Sequence, residues 1–182
     1  MANQQIVYQG KIIEVVHEEM GERTIEYGRR SPGVRMIIVT PEKKLLMTKE
    51  KRRELETIDY RLPGGKVIDT LEEYHTFLQS GKDINDVAKN AAIREAKEEV
   101  GIEPTEIAYF HTSKCGATFE WDLFYFVVTK YEKLEGQQLE QGENIETIEI
   151  SFEEAKKMAL DGRMQEERSA LVLLRYLNSL KS

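Results

Sequence analysis

A chain of 182 residues with 40% hydrophobic and 32% charged side chains has the composition of a folded globular domain, which excludes a disordered or fibrous class. The net charge of −7 argues against nucleic acid as a partner, since that calls for a basic face, but leaves room for a phosphate ligand held through a metal ion. The single cysteine, Cys115, excludes an internal disulfide framework and fits a reducing, cytoplasmic setting.

The N-terminus, Met1 to Gln5, lacks a basic region followed by an apolar run, so it does not read as a signal peptide. No apolar stretch is long enough to cross a bilayer, so no membrane partner is expected. Residues 6–16 read as a strand pair broken at Gly10, and Arg23 to Tyr27 as a half-buried strand. Arg35 to Thr40 and Leu45 to Lys49 form a hairpin around the Pro41-Glu42-Lys43-Lys44 turn. Tyr60-Arg61-Leu62 leads into the turn Pro63-Gly64-Gly65. Leu71 to Leu78 has helical apolar spacing and stops at Gly81. Asp83 is an N-cap for a second helix running to Val100, with Gly101 as its left-handed stop. Trp121 to Thr129 reads as a buried strand and Glu146 to Ser151 as an alternating one. Ser151, with Glu154 at the capping-box position, opens a helix that ends by Gly162. A last helix spans about 166–180. The order predicts one α+β domain over residues 1–182, a layered α/β/α sandwich around a mixed sheet.

The second helix carries the chemistry. Glu95, Glu98 and Glu99 are spaced i, i+3 and i+4 and so share one helical face. Three like charges so close repel, and a hard cation such as Mg²⁺ relieves that repulsion with carboxylate oxygens as ligands. On spacing alone, a solvated acidic face paired with Arg94 and Lys97 is the first reading and a metal site the second. The glycine turn at Gly64-Gly65 lets the backbone approach a ligand or metal closely.

Arg94-Glu95-Ala96-Lys97-Glu98-Glu99-Val100-Gly101-Ile102 resembles the second half of the Nudix box, G-x5-E-x7-R-E-U-x-E-E-x-G-U. Pro63-Gly64-Gly65 is similar to the family's entry turn, and Ala91-Ala92 to the small pair before its arginine. Ala96, small where the pattern has a bulky aliphatic, departs from it. The spacing from Gly65 to Arg94 also departs, at about twice the pattern's length, with an insertion over residues 69–82. Depending on the direction of counting, the first glutamate of the box falls on Asp86 or beside Glu72.

The resemblance implies hydrolysis of a nucleoside diphosphate linked to another moiety, in a fold with a mixed sheet between helices. It implies Mg²⁺, with Mn²⁺ as a substitute, held by Glu95, Glu98, Glu99 and the Gly64 carbonyl, with Arg94 orienting a catalytic glutamate and Glu98 at the centre of the chemistry. The metal neutralises pyrophosphate charge and lowers the pKa of a water.

The rest of the chain resembles the ADP-ribose pyrophosphatase branch. Gln9-Gly10-Lys11-Ile12-Ile13 and Arg29-Arg30-Ser31-Pro32-Gly33-Val34 are similar to its N-terminal strand extension, here residues 1–30, and to the entry of its core sheet. This implies a homodimer in which substrate contacts cross the interface. Gly142-Glu143-Asn144-Ile145-Glu146 resembles the loop that supplies a base or further ligand, which implies Glu143, with Glu140 second. Tyr60-Arg61, where the branch often has Trp-Glu, and the absence of a proline near Ala117-Thr118-Phe119 depart from that branch. The implied substrate is ADP-ribose or a related nucleotide sugar; a Nudix-fold nucleotide sensor without turnover is the alternative.

Arg30, Arg61 and Gly65 are the candidate substrate contacts, with Arg29, Arg52 and Arg53 as further cations able to grip phosphates. Tyr60, Phe119 and Trp121 read first as packing residues and second as base-stacking ones. His17, His75 and His111 read as structural, and Cys115 as a bystander.

Overall fold

The structure is a computed structural model that describes residues 3–51, 57–139 and 144–180. The N-terminal strand pair is β1 (Asn3–Gln9) and β2 (Glu14–Met20), which turn back on each other at Gly10. The Gly10 amide donates to the Ile13 carbonyl at 2.8 Å, and a Cβ on Gly10 would lie 2.9 Å from that oxygen. β3 (Arg23–Arg29) adds to β2, and a two-residue strand, β8 (Phe119–Glu120), closes this four-stranded sheet.

The second sheet has six strands. β4 (Gly33–Val39) and β5 (Lys44–Lys51) form the predicted hairpin but stay paired only at Ile38–Leu46 and Val39–Leu45. Beyond that point β6 (Ile58–Arg61) takes over as partner of β5. The residues after β6 fill the wedge beside β4: the Val34 amide donates to Gly65 O at 2.9 Å and the Met36 amide to Pro63 O at 2.8 Å. This wedge seats the glycine turn against the centre of the sheet. With β7 (Ile102–Ser113), β9 (Leu123–Lys133) and β10 (Ile145–Ser151), the sheet order is β10-β5-β4-β9-β7, with β4 and β9 parallel and the other pairs antiparallel.

β7 (Ile102–Ser113) is the longest strand that sequence periodicity did not predict. Pro104 and Glu106 interrupt its alternation, and its register slips at both. A proline is tolerated there because β7 is an edge strand, where the missing amide faces away from the ladder. β10 (Ile145–Ser151) closes the other edge.

Helices cover both faces. α1 (Leu71–Ser80), the insertion helix, starts with a capping box between Thr70 and Glu73 and stops at left-handed Gly81. α2 (Ile84–Glu95) is capped by Asp83 as predicted. Its last turn, Ala96–Val100, is a π turn rather than a continuation of the α-helix, ending at Gly101 with φ 70°. α3 (Phe152–Leu160) begins at Ser151, whose hydroxyl accepts from the Glu154 amide, and α4 (Glu167–Ser179) follows.

The alternation of β4 and β9 assigns each helix layer its core. Val34, Met36, Ile38, Phe124, Phe126 and Val128 face α2, which answers with Ala88, Ala91, Ala92 and Ala96. Alanines at these positions let the helix axis approach the sheet closely, which brings the end of α2 down to the glycine turn. Ile37, Leu123 and Tyr125 face the other way, onto α3 and α4 through Ala155, Met158 and Leu173. The result is the predicted α/β/α arrangement, with the N-terminal sheet as an addition. The two parts are tied by a buried carboxylate: Glu14 of β2 accepts from Arg29 at 2.6 Å and pairs with His75 of α1 at 2.8 Å. His75 is thus structural. Among the described residues, no helix is long and apolar enough to cross a membrane.

Candidate functional site

The glycine turn and the C-terminal end of α2 meet in a cavity of about 260 Å³. Nine of the candidate site residues singled out from sequence line it: Arg30, Arg61, Gly64, Gly65, Arg94, Glu95, Glu98, Glu99 and Trp121. Glu143 and Glu140 lie outside the described residues, as do Arg52 and Arg53. Neither counterpart for the first box glutamate reaches the cavity; Asp86 and Glu72 are both exposed. Asp69, at the start of the insertion, lines it instead and lies 3.9 Å from Arg94.

One wall is acidic. Glu95 is 8% exposed, so its carboxylate is buried rather than part of a solvated face. The backbone of the turn lies directly on it: a Cβ on Gly65 would fall 2.3 Å from Glu95 Oε1. Only glycine leaves that space open. The Gly64 amide donates to Glu99 Oε2 at 2.7 Å. Gly64 itself has φ 144°, a conformation that side chains rarely adopt.

Arg94 organises this wall. It reaches Glu95 Oε1 and Glu98 Oε2, each at 3.0 Å, and donates to the Lys66 carbonyl at 3.1 Å. Burial opposes its charge, but Glu95 and Glu98 outweigh that cost and hold its pKa above the ordinary value. The π turn divides the glutamates between partners: Glu95 and Glu98 point to Arg94, whereas Glu99 points to the turn. π turns inside helices occur disproportionately at functional sites.

The other wall is basic. Arg35 is buried on β4 and forms two bonds to Glu166, at 2.8 and 3.1 Å. Its Nη1 donates to the carbonyls of Val34, at 2.9 Å, and Gly64, at 3.0 Å. Desolvation raises the Glu166 pKa, yet the charge and hydrogen bonds of Arg35 overcome it and bring the carboxyl down to about 2. Arg61 is held by the fully buried Asp59, whose second oxygen accepts from the Gln165 amide. Arg30 lies over the ring of Trp121, which also lines the cavity. Thr48, Glu50 and Lys66 complete the lining relevant to charge.

Arg35 is the site residue that sequence reading passed over, taking it only as the first residue of an apolar strand. The signal was there: a charge inside Val34-Arg35-Met36-Ile37 must be buried, and a buried arginine requires a partner. Glu50 gave no such signal. Tyr60 packs against the core on the α3–α4 side, and Phe119 lies against Gly28, both as packing residues. His17 pairs with Glu26 and His111 sits against Arg175 and Tyr125, away from the cavity. Cys115 is exposed and free.

Among the described residues, no three histidine, cysteine or acidic side chains already converge at metal-ligand spacing. Arg94 and the Gly64 amide occupy the three glutamates. The donor set nevertheless fits a hard divalent cation: carboxylate oxygens together with a backbone carbonyl, at a turn where a side chain would fill the space beside Glu95. The arrangement sets carboxylates against arginines across one small cavity, which suits a ligand that is both anionic and metal-bound.

Comparison with known proteins bears on the same region. Over 176 residues the chain is 26% identical to an ADP-ribose pyrophosphatase of Bacillus subtilis (strain 168), covering 92% of this chain and 86% of that protein. Over 146 residues it is 29% identical to a GDP-mannose pyrophosphatase of Enterobacter sp. (strain 638), covering 73% and 70%. A crystal structure of an ADP compounds hydrolase superposes with a TM-score of 0.70 at 18% identity, covering 100% of this chain and 94% of that one, and this likeness establishes the fold. Residues 29–171, which span the whole cavity-forming core, match the family model of the NUDIX domain, and the chain therefore belongs to the Nudix family as a pyrophosphohydrolase.

Proposed function

We propose that this protein hydrolyses the diphosphate bond of ADP-ribose or a related nucleotide sugar with the help of Mg²⁺ or Mn²⁺. The observation that carries the reading is the closure of the Gly64-Gly65 turn onto Glu95 and Glu99, opposite a wall of arginines. In this reading Glu95, Glu98, Glu99 and the Gly64 carbonyl hold the cation. The carbonyl already accepts from Arg35 but has a second lone pair to offer. A cation there would supply Lewis acidity and neutralise the diphosphate charge.

The chain's own residues do the rest. Arg94 holds Glu98 in place and ties the helix to the turn through Lys66. Glu98 has a side chain 27% exposed, against 11% for Glu95, and is the carboxylate open to take a proton from the attacking water. Arg30 and Arg61 grip phosphate oxygens, with Gly65 giving them room. Water oxygen bonds to one phosphorus as the bridging oxygen leaves with the other, giving a nucleoside monophosphate and a phosphorylated remainder. Glu143 is the second candidate base. The relatives' names, an ADP-ribose pyrophosphatase and a GDP-mannose pyrophosphatase, support a nucleotide sugar as substrate class.

A panel of nucleoside diphosphate sugars with Mg²⁺, read by mass spectrometry of products, tests this. Glu98→Gln is expected to lower kcat about 10²- to 10⁴-fold. No cleavage of any member, with Glu98→Gln indistinguishable from wild type, overturns it.

The assembly we propose is a homodimer through the N-terminal sheet. β1 is its free edge, exposed along its length, with Ile6, Val7 and Tyr8 unburied. An uncovered apolar strand edge pairs with another strand, and a second copy offers the same edge. Light scattering at micromolar concentration should give twice the chain mass; a monomer mass refutes it.

A further inference from the structure

Trp121 stands out on the basic wall because of what surrounds it. Two guanidiniums pack over its ring, Arg30 at 4.6 Å and Arg168 at 4.3 Å from the centroid. With its ring so engaged, the indole offers the cavity its edge. That edge lies beside the glycine turn: a Cβ on Gly33 would be 3.7 Å from Trp121 Nε1 and 3.2 Å from the Gly65 carbonyl.

Three donors in this stack are buried and find no acceptor among the described residues: Arg30 Nε, Trp121 Nε1 and Arg168 Nη2. Buried polar atoms are otherwise almost always satisfied, and each exception calls for a cause. All three are donors, so what they lack is an acceptor. The charge points the same way. Burial, and after it the nearby charges of Arg35 and Arg168, lowers the pKa of Arg30. The carboxylate that faces them, Glu166, is already engaged by Arg35 and Ser169. An excess of buried positive charge with spare N–H groups is complementary to an oxyanion.

We infer that Arg30 Nε–H and Trp121 Nε1–H form a clamp for the phosphate oxygens of the substrate's diphosphate, on the wall opposite the glutamates, with Arg168 as the positioning residue that fixes the indole. Arg168 holds Trp121 twice, with its guanidinium over the ring and Nη1 donating to the Trp121 backbone carbonyl at 2.8 Å. Base stacking is not the role of Trp121, because its ring is taken up by cations. This inference rests on the proposed diphosphate substrate, and it adds two residues, Trp121 and Arg168, that the family motif does not contain.

The chain has one tryptophan, so tryptophan emission, excited at a wavelength that tyrosine does not absorb, reports on the clamp alone. Titration of the wild-type protein with inorganic pyrophosphate in Mg²⁺ buffer should give a saturable change in emission, and adenosine, which carries no phosphate, should give none. A response to adenosine with silence towards pyrophosphate overturns the inference, as does silence towards both. Arg30→Met should abolish the pyrophosphate response.

Kinetics supply the second arm. Trp121→Phe keeps an aromatic ring beneath the arginines and removes the N–H. Loss of a hydrogen bond to a charged group should raise KM about 10- to 100-fold while leaving kcat nearly unchanged. Arg168→Met should raise KM in the same way without lowering the melting temperature in proportion. A purely packing role would instead leave KM untouched in Trp121→Phe, and that result refutes the clamp. The outcomes separate the two claims. Turnover of a nucleotide sugar with Trp121→Phe unaffected sinks the clamp alone; pyrophosphate binding without turnover of any substrate sinks the proposed activity alone.

Discussion

The two walls of the cavity are built by opposite strategies. The acidic wall comes from one stretch of six residues, Arg94 to Glu99, in which the organising cation is the neighbour of the carboxylates it holds. The basic wall draws on three separate places in the chain, Arg30 and Arg35 in one, Arg61 and Trp121 in the others, and anchors Arg35 through Glu166, 131 residues away. A wall made locally can lose a charge without loosening the fold. A wall made by tertiary ion pairs cannot, because each removed partner strands a buried charge.

The largest expected effect breaks the basic wall at its anchor. Glu166→Ala leaves Arg35, buried on β4, without its bidentate partner. Breaking a buried pair in this way costs about 3–5 kcal/mol, which for a chain of this size lowers the melting temperature by roughly 10 °C or more. Glu98→Gln, on the acidic wall, should leave the melting temperature almost unchanged while removing activity. Equal melting temperatures for Glu166→Ala and wild type would show that the walls do not differ in this respect.

Acid sharpens the same contrast. The Glu166 carboxyl sits at about 2 when folded and at about 4.3 when unfolded. A depressed folded pKa contributes stability that is complete above the unfolded value and disappears as pH falls through the folded one. The contribution is on the order of 3 kcal/mol. The difference in melting temperature between wild type and Glu166→Ala should therefore be full at pH near 6 and shrink between about pH 4 and pH 2. A difference that stays constant over that window would remove Glu166 ionisation as the cause.

The contrast also explains what could be read from the sequence. The acidic wall was legible because its signal is periodic and local: R-E-x-x-E-E followed by glycine places the carboxylates by helix geometry alone. So were the caps at Asp83 and Ser151, where a single side chain decides a helix start. The π turn was not legible, since Ala96 to Val100 carries ordinary helix formers, and the contact made there, the Gly64 amide on Glu99, is a tertiary one. β7 was missed because its strand character comes from pairing with β9, against the local evidence of Pro104 and Glu106. On the basic wall, Arg30 and Arg61 were visible only as arginines near a glycine turn. Of the partners that fix that wall, Asp59 sits in a segment with no periodic signal, while Glu166 and Arg168 lie at the start of the last helix, whose periodicity marks its apolar face but not which distant residues its polar side chains meet.

The smallest expected change in structure probes the seam between the walls. Gly65 carries no special φ, so Ala is allowed there by the backbone. The obstacle is the Glu95 carboxylate, whose three atoms would lie 2.3–2.6 Å from the added carbon. Those atoms are the far end of a flexible side chain, so Glu95 can swing aside and the fold survives at a cost of about 1–3 kcal/mol. The carboxylate then leaves the place where Arg94 holds it, and displacement on the order of 1 Å at a reacting site costs about 10²-fold in rate. Gly65→Ala should therefore lose about two orders of magnitude in kcat/KM while melting only a few degrees below wild type. Gly136→Ala is the control, because a Cβ there meets nothing within 4 Å. Should Gly65→Ala keep full activity, the position of Glu95 does not matter to the chemistry. Should it unfold the protein, the turn belongs with the basic wall as a tertiary anchor rather than with the locally built acidic one.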